Sequence, residues 1–285
     1  MAPHHRRSNA VDTAGRAAPA RAEDWPLVLD GELMRAGEAM IPASDDGLIR
    51  GDGAFDAFPV RDGRTFARAA HLDRLERSCL ALALPCPRAD LEQDIDLLLG
   101  EAPDGYAVVR VVLTRGGHRI CRLESRGDIA GLIKPVRLLP VVYNPSVLLD
   151  GVKSLSYAAN MLASRRATGA GYDEALLLRA DGVVLEGPTC SIFWVRDGRL
   201  RTPALETGIL DSITRRVILE TLPVEEGIFM LEDATGADEA FLASTARLGQ
   251  PIAAIGDAVL PSVPGPHTLL VQQAIERAMD TDAIA

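Results

Sequence analysis

The stretch KSLSY, residues 153–157, lies between the apolar run VLL at 147–149 and a helix-like segment that continues to residue 168. Lysine is seldom buried without a partner. A lysine held where an extended segment leads into a helix can lose its water, and desolvation lowers the pKa of an amine towards neutrality. A neutral amine is a nucleophile that forms a Schiff base with a carbonyl group. Lys153 is therefore the first candidate for a reactive residue.

An acidic residue, Glu186, ends a second apolar segment, VVLEG at residues 183–187. An amine and a carboxylate on neighbouring strands suggest a cofactor site. Taken alone, Lys153 and Glu186 are better explained as solvated surface groups, because most lysines and glutamates are exposed. The sequence around them favours the reactive interpretation.

Several short blocks occur in a fixed order between residues 25 and 280: GDGAF (51–55), HLDRL (71–75), KSLSY (153–157), EALLL (174–178), EGPTCSIFW (186–194), TGILDSITR (207–215) and EAFLAST (239–245). In sequence and order they resemble the class IV aminotransferases. That family contains branched-chain aminotransferases, D-amino acid transaminases, (R)-amine transaminases and aminodeoxychorismate lyases. The blocks together indicate the family, but they do not indicate the substrate.

The resemblance implies fold type IV, an α+β fold with a small N-terminal α/β domain, a larger C-terminal domain and the cofactor between them. We expect a disordered extension over residues 1–23, the small domain over 24–143, a linker over 144–149 and the cofactor-binding domain over 150–285. Hairpins joined by Asp-Gly turns at residues 30–31 and 62–63, rather than alternating strands and helices, agree with a mixed α+β class.

Apolar spacing, runs of apolar or β-branched residues, and capping and turn residues predict the individual elements. Helices are expected over 71–84, 157–168, 212–222 and 267–279, and strands over 106–114, 136–143, 174–178, 183–185, 191–195 and 239–243. Asp90 is expected to cap one further helix. A loop that carries Arg115, Arg119 and Arg122 is expected after the strand that ends at residue 114.

The resemblance implies pyridoxal 5′-phosphate as the cofactor. This cofactor needs a lysine for its aldehyde, an acid at its pyridine nitrogen and a cradle for its phosphate. Lys153 would form the Schiff base and, once released, would move the α-proton as general base and acid. Glu186 would keep the pyridine nitrogen protonated. Tyr157, one turn after the lysine, would donate a hydrogen bond to the ring oxygen or, alternatively, pack in the core.

The phosphate is expected to contact six residues: Arg74, Ser212, Ile213, Thr214, Ser244 and Thr245. Unpaired amides and the positive end of the dipole favour an anion where a helix begins, as predicted near Ser212. Arginine offers a permanent, bidentate charge to phosphate. Arg74 has an alternative role, an ion pair within its own helix with Asp73 or Glu76.

The residues that recognise the substrate are less well defined. Arg50 either faces the cleft and binds a carboxylate or is a solvated loop charge. Arg115 lies in a segment that reaches the active site in relatives, as do its neighbours Arg119 and Arg122. We take Arg50 and Arg115 as the candidate substrate-binding residues.

The expected activity is transfer of an amino group from an amino acid or primary amine to a 2-keto acid. The first alternative is aminodeoxychorismate lyase chemistry with the same cofactor, which gives 4-aminobenzoate and pyruvate. The second is a non-catalytic binding relative. The expected partners are a small-molecule amino donor and a keto acid, and the resemblance implies a homodimer.

The bulk composition excludes several other classes of protein. Of the 285 residues, 47% are hydrophobic and 25% charged, which is ordinary globular composition. A net charge of −10 argues against general affinity for nucleic acid or an anionic membrane, and no apolar run approaches a membrane span. The four cysteines lack metal-ligand spacing and are expected to be reduced thiols in the cytoplasm. No metal site is expected, because His118 and Cys121 are too few ligands for zinc.

Overall fold

The structure is a computed structural model that describes residues 21–125, 133–144 and 146–281. The disordered extension expected over 1–23 therefore lies, apart from its last three residues, outside the described residues. The helices are α1 (Asp46–Ile49), α2 (Arg68–Ala81), α3 (Arg88–Leu99), α4 (Ala158–Gly169), α5 (Ile213–Thr221), α6 (Leu231–Thr235) and α7 (Pro266–Thr281). Short 3-10 turns occur at Ala22–Asp24, Val147–Leu149 and Leu205–Thr207.

The strands occur mostly in consecutive pairs or groups between these helices. They are β1 (Pro26–Leu29), β2 (Glu32–Arg35), β3 (Gly53–Arg61), β4 (Arg64–Thr65), β5 (Tyr106–Thr114), β6 (Arg119–Ser125), β7 (Val136–Val142), β8 (Glu174–Leu178), β9 (Ser191–Arg196), β10 (Arg199–Pro203), β11 (Val224–Gly227), β12 (Glu239–Ala243), β13 (Gln250–Ile255) and β14 (Ala258–Val259). Within the described ranges, no helix combines the length and the apolarity that crossing a bilayer would need.

The first sheet is antiparallel and, among the described residues, has six strands in the order β2-β1-β6-β5-β3-β4. The Asp-Gly hairpins predicted at 30–31 and 62–63 are confirmed. In both, the aspartate and the glycine have positive φ, at 52° and 94° in the first turn and 51° and 75° in the second. This is the conformation that a two-residue turn needs to match the twist of its strands.

Side chains of β5 and β6 alternate strictly between two faces of the first sheet. Val109 and Val111 belong to a core that α2 and α3 cover, together with Cys121 of β6. Arg110 and Arg122 point to the opposite face and line a cavity. Successive side chains of a strand lie on opposite faces. One face of β5 and β6 therefore packs in the core, and the opposite face presents charged side chains to the cavity.

The second sheet contains eight strands among the described residues, seven of them in the order β11-β10-β9-β12-β13-β7-β8, with β14 beside β13. Its centre is strongly apolar: the rings of Phe193 and Phe241 on β9 and β12 are stacked 5.3 Å apart, and Trp194 is fully buried. The strand β7 precedes the linker predicted at 144–149, yet it pairs in parallel with β8 and β13 of this sheet. The domain boundaries stay a prediction.

Several elements differ from the sequence-based expectations. Residues 183–185 do not form a strand, because Val183 and Val184 make only single bridges, to Met230 and Leu178. The residues expected in a loop with Arg119 and Arg122 form β6, since this segment finds partners on both sides in β1 and β5. The strands β10, β11 and β13 were not predicted.

Two helices also begin or end at other residues than expected. Helix α2 spans Arg68–Ala81 rather than 71–84, because Ala67 and Ala83 on either side adopt left-handed φ values of 51° and 48°. Helix α3 begins at Arg88 after Pro87, so Asp90 lies in its first turn and does not cap it. The helices predicted over 157–168 and 212–222 are confirmed to within one residue at each end.

Candidate active site

The backbone of Lys153 is tied to the first sheet and to α2. The amide of Phe55 on β3 donates to the Lys153 carbonyl at 3.0 Å, and the Lys153 amide donates to Ser78 Oγ on α2 at 3.1 Å. A Cβ at Gly53 would lie 2.4 Å from the carbonyl oxygen of Leu113, so the close approach of the chains here requires glycine. These contacts hold the lysine at the junction of the two sheets.

The amine of Lys153 is enclosed by aromatic rings. Its Nζ lies 4.5 Å from the centre of the Phe55 ring and 5.8 Å from that of Tyr157. Among the residues that the structure describes, none forms a hydrogen bond or an ion pair with Nζ. Burial, followed by repulsion from Arg74, lowers the pKa of Lys153 to about 8. A substantial fraction of the amine is therefore neutral near physiological pH, and this fraction can act as a nucleophile.

The carboxyl group of Glu186 is the acidic counterpart in the same region. Its backbone is held by β8, since the Leu177 amide donates to the Glu186 carbonyl at 2.9 Å. The side-chain Oε1 accepts a hydrogen bond from the Leu210 amide at 3.2 Å. Burial raises the pKa of Glu186 to about 7, although the Leu210 amide and the charge of Lys153 oppose the shift. This carboxyl group can therefore gain or lose a proton near neutral pH.

Tyr157 lies between these two groups and the chain segment after Glu186. Its hydroxyl donates to the carbonyl oxygen of Pro188 at 2.9 Å, and its ring meets that of Phe55 edge-on at 5.2 Å. The same carbonyl accepts from the side-chain amide of Asn160 at 2.9 Å. Burial raises the pKa of Tyr157, so the phenol stays protonated and acts as a donor.

Arg74 is buried and forms a two-pronged ion pair with Asp56. Its Nε and Nη2 donate to the two oxygens of Asp56 at 2.8 and 2.7 Å, and Nη1 donates to the carbonyl of Asp211 at 3.2 Å. Asp56 also contacts His71 Nδ1 at 2.8 Å. Although complete burial opposes ionisation, Arg74 and His71 hold the pKa of Asp56 well below its usual range.

The alternative partners of Arg74 within its helix are engaged elsewhere. Asp73 and Glu76 both pair with Arg88 at the start of α3. The intrahelical ion pair considered from the sequence is therefore absent among the described contacts of Arg74. Its guanidinium instead spans from Asp56 to the segment that precedes α5.

Two turns lie beside Arg74. Ser212 caps α5, and its Oγ accepts from the Arg215 amide at 3.4 Å. Among the described residues, no acceptor meets the amides of Ile213 and Thr214, as is usual in a first helical turn. Thr245, after β12, donates from Oγ1 to the carbonyl of Ala57 at 3.2 Å.

These groups converge on one cavity of about 770 Å³ between the two sheets. Its lining includes the following residues predicted from the sequence: Arg74, Lys153, Tyr157, Glu186, Ser212, Ser244 and Thr245. Ile213 and Thr214 are buried and contribute no surface to it. A smaller pocket of about 100 Å³ shares Lys153, Tyr157 and Glu186 with the large cavity.

The charges that line the large cavity are mainly positive. Five basic side chains (Arg74, Arg110, Arg122, Lys153 and Arg247) and two acidic ones (Glu124 and Glu186) contribute to the described lining. The whole chain contains only two lysines, and the other one, Lys134, is exposed and does not line this cavity. The excess of positive charge suits an anionic ligand, and the single lysine offers one amine to which such a ligand could bond.

The family assignment agrees with this geometry. The sequence model of the family described as "Amino-transferase class IV" matches residues 53–255. The chain belongs to the class IV aminotransferases. Enzymes of this family use pyridoxal 5′-phosphate, so the family and the cofactor expected from the sequence blocks are both confirmed.

Relatives of this class IV aminotransferase include both transaminases and lyases. A protein of Methanocaldococcus jannaschii, named "Putative branched-chain-amino-acid aminotransferase", is 34% identical over 264 residues, covering 82% of this chain and 89% of the relative. A protein of Mycobacterium tuberculosis, named "Bifunctional aminodeoxychorismate lyase / D-amino acid transaminase", is 31% identical, covering 68% of this chain and 76% of the relative.

A solved structure of similar fold is the branched-chain aminotransferase of Thermoproteus uzoniensis with norvaline. It superposes on this class IV aminotransferase with a TM-score of 0.82 at 27% identity, covering 90% of this chain and 95% of that chain. The likeness confirms the α+β fold type IV architecture expected from the sequence.

The structure of this class IV aminotransferase does not bring Arg50 or Arg115 to the cavity. Arg50 is exposed and pairs with Asp46. Arg115 pairs with Asp52, Nε to Oδ2 at 2.9 Å, and donates to the carbonyls of Leu82 and Ala83. Neither arginine belongs to the described lining of the cavity. Their role in substrate binding therefore stays a prediction, which the geometry of the single chain does not support.

Sequence reasoning missed the charged residues that do face the cavity. The sequence pattern predicts Arg110 only as part of a strand and Arg122 only in a loop, and it singles out neither Glu124 nor Arg247. The alternation of RICRLES over 119–125, in which residues 120, 121 and 123 are apolar, could have indicated a strand with one charged face. The pairing that aligns Arg110 with Arg122 depends on tertiary structure.

Proposed function

We propose that this enzyme transfers an amino group from an amino acid or primary amine to a 2-keto acid, with Lys153 as the covalent attachment point of pyridoxal 5′-phosphate. The observation that carries the proposal is the meeting of the unpaired Lys153 amine and the Glu186 carboxyl group in one cation-rich cavity. No other lysine of the chain lines that cavity.

The residues around the cavity fit the cofactor. The cofactor aldehyde needs an amine that is neutral near pH 8, and Lys153 is such an amine. Its dianionic phosphate suits Arg74 and Ser212, which line the cavity where α5 begins, and the positive end of the helix dipole favours an anion there. The buried Ser191 Oγ also lines the cavity and has no described partner, so a bound group could satisfy it.

When bound, pyridoxal phosphate supplies an electron-withdrawing ring that stabilises negative charge on the reacting carbon. Glu186 would hold a proton at the pyridine nitrogen and so keep the ring cationic. Lys153 Nζ would accept the proton from the substrate Cα and would deliver it to the former aldehyde carbon of the cofactor. Its position against Phe55 limits the access of water to the amine.

A proton shuttle needs an amine that can be protonated and deprotonated at the working pH. A pKa near 8 meets this requirement better than the ordinary value of 10.5, because both protonation states are then populated. Tyr157 and Pro188 fix the wall beside the amine through their hydrogen bond of 2.9 Å. The substrate would therefore meet a rigid wall on this side.

The substrate class follows from the charge of the cavity. Beyond Arg74, the cavity holds Arg110, Arg122 and Arg247, which favour substrates that carry a carboxylate. We therefore favour amino acids over simple amines as donors and 2-keto acids as acceptors.

A second candidate is lyase chemistry on aminodeoxychorismate. It is supported by relatives that carry this name, including the bifunctional Mycobacterium tuberculosis protein and an aminodeoxychorismate lyase of Bacillus subtilis that is 29% identical. Release of pyruvate from aminodeoxychorismate without any keto acid acceptor would favour it. A non-catalytic role would be favoured by purified protein that shows no cofactor absorbance after cofactor is added.

The assembly and location of the enzyme are also proposals. We propose a homodimer, supported by the exposed apolar side chains of Val147 and Leu148, which are 83% and 89% accessible in the single chain. Sedimentation that finds an active monomer would overturn it. The four unpaired cysteines support a reducing compartment such as the cytoplasm, and the acidic net charge supports the absence of nucleic acid or membrane partners.

The proposed function is tested with a panel of donors and acceptors on the purified holoenzyme. D- and L-amino acids and both enantiomers of a chiral amine are offered with pyruvate and with 2-oxoglutarate, and the new amino acid is quantified. Amino transfer from at least one amino acid donor is expected. Absence of transfer with every pair, together with pyruvate release from aminodeoxychorismate, would replace the transaminase proposal by the lyase.

A further inference from the structure

Three charged side chains stand together on the cavity face of the first sheet. Arg110 on β5 and Arg122 on β6 are direct partners across the strands, and Glu124 follows on the same face of β6. Like charges placed directly opposite each other repel. Glu124 offsets this repulsion because it contacts both arginines.

The contacts of Glu124 have the geometry of carboxylate recognition. Arg110 Nε and Nη2 donate to the two oxygens of Glu124 at 2.5 and 3.3 Å, and Arg122 Nη2 lies 3.0 Å from Oε1. A guanidinium group that offers two donors to one carboxylate is the arrangement by which proteins bind carboxylate ligands. Glu124 therefore occupies the position that a carboxylate of a bound molecule would take.

Glu124 differs from the other acids that pair with cavity arginines. Asp56, the partner of Arg74, is completely buried, and Glu174, the partner of Arg247, is 5% exposed and also accepts from Ser164 and the Ala175 amide. Neither belongs to the described lining of the cavity, whereas Glu124 does. A ligand in the cavity can therefore compete with Glu124 but cannot reach the other two acids.

The Arg110 guanidinium lies near the reacting end of the cavity. Its Cζ is 5.1 Å from the centre of the Phe55 ring, and Lys153 Nζ is 4.5 Å from the centre of the same ring. The positive charge of Arg110 also lowers the pKa of Lys153, after the larger effects of burial and Arg74. A substrate held at Lys153 would thus have Arg110 within reach of its side chain.

We infer that Glu124 sets the preference of the enzyme between substrates with one and with two carboxylates. The inference rests on the proposed transaminase function. A monocarboxylate substrate leaves the pair of Glu124 and Arg110 intact. The second carboxylate of a dicarboxylate substrate has to compete with Glu124 for the same two donors and is repelled by its charge.

The test compares two keto acid acceptors with one amino donor. For the holoenzyme, kcat/KM is measured with 2-oxoglutarate and with pyruvate, which differ in their number of carboxylates. Glu124→Gln keeps the shape of the side chain and removes its charge, so the ratio of kcat/KM for 2-oxoglutarate over pyruvate should rise about tenfold or more. Glu276→Gln, which removes the same charge from the exposed face of α7, should leave the ratio unchanged.

A second pair of variants checks that Arg110 carries the effect. In an Arg110→Gln background, Glu124→Gln should raise the ratio by a clearly smaller factor than in the wild-type background. The two Arg110 donors for which Glu124 competes are then gone, and the substitution removes only the repulsion by Glu124 and its contact with Arg122. If Glu124→Gln does not form holoenzyme, Glu124→Asp is used instead. This variant keeps the negative charge but has a side chain one methylene shorter, so the carboxylate lies farther from Arg110. The ratio should then rise as well, by a smaller factor.

An unchanged ratio in Glu124→Gln, or a fall in the ratio, would overturn the inference. So would a rise of equal size with and without Arg110. Failure of the proposed function is recognised separately, since the wild-type enzyme and Glu276→Gln would then show no amino transfer to pyruvate either.

Discussion

The amine of Lys153 lies 4.5 Å from the centre of the Phe55 ring and has no charged or hydrogen-bonding partner among the described residues. The ring compensates only part of the hydration that the ammonium group loses on burial. The protonated form is therefore disfavoured, and the pKa falls to about 8. The packing of Phe55 on β3 thus contributes to the burial that lowers the pKa of Lys153.

Replacing Lys153 by alanine should abolish turnover and leave the fold intact. A general acid–base group contributes roughly a hundred- to ten-thousandfold to a rate, so a loss of at least about a thousandfold is expected. Borohydride treatment of the wild-type holoenzyme should fix the cofactor on the peptide that contains Lys153. Because Lys134 is the only other lysine, Lys134→Ala is a complete control and should retain both the label and the activity. A label on the Lys134 peptide would refute the assignment.

The rate at which the apoenzyme binds pyridoxal phosphate covalently should rise with pH through about 8. Below this value the Lys153 amine is protonated and cannot attack the aldehyde, and above it the rate should level off. The rate is followed by the absorbance of the bound cofactor. In Arg110→Gln the midpoint should move to higher pH, since a repelling cation is removed. A wild-type midpoint at 10 or above would contradict the burial of the amine.

Glu186→Gln should slow proton transfer more than it weakens cofactor binding. A neutral amide cannot hold a full proton on the pyridine nitrogen, so the ring attracts electrons less strongly. We expect the proton-transfer step to slow by about a hundredfold or more. A deuterium isotope effect at the substrate Cα should increase together with this loss. If cofactor affinity falls while the isotope effect and kcat stay the same, Glu186 has no role in activating the ring.

The apoenzyme of Glu186→Gln should be more stable than the wild-type apoenzyme at alkaline pH. The pKa of Glu186 is about 7 in the folded chain against 4.5 for an unperturbed glutamate, so between these values the folded state retains a proton that the unfolded state has lost. Stability attributable to this group is therefore complete below pH 4.5 and lost as pH rises through 7. Denaturant unfolding should show Glu186→Gln more stable than wild type by up to about 3 kcal/mol at pH 8. Most of this difference should disappear at pH 5; equal stability at pH 8 would mean that burial does not raise the pKa.

Arg74 should prove to have two separable roles. Arg74→Met leaves the completely buried Asp56 without its main partner and should destabilise the apoenzyme by about 3–5 kcal/mol. Adding Asp56→Asn removes the uncompensated charge and should restore much of that stability. Affinity for pyridoxal phosphate should remain weak in both variants, as measured by equilibrium titration. Recovery of affinity in the double variant would show that Arg74 does not bind the phosphate.

Much of the fold could be predicted from local sequence patterns. Strands β5, β8 and β12 are predicted because they are short runs of apolar and β-branched residues, the glycines at 169 and 171 indicate the end of helix α4, and the Asp-Gly pairs identify the hairpins. Strand β6 was missed since its charges resemble a loop until the partners β1 and β5 are known. Residues 183–185 were assigned to a strand from their composition, but they find only single bridges.

The sequence by itself determined the family and the cofactor, and it predicted Lys153 and Glu186 as the reactive groups, because these inferences depend on residue types at fixed positions along the chain. Only the tertiary structure decided which arginines face the cavity. It directs Arg50 and Arg115 to Asp46 and Asp52, and it brings Arg110 and Arg122 to the cavity wall. A strand pattern defines two faces, but which face another sheet covers, and which acid meets which arginine, follows from contacts between residues that are distant in the chain.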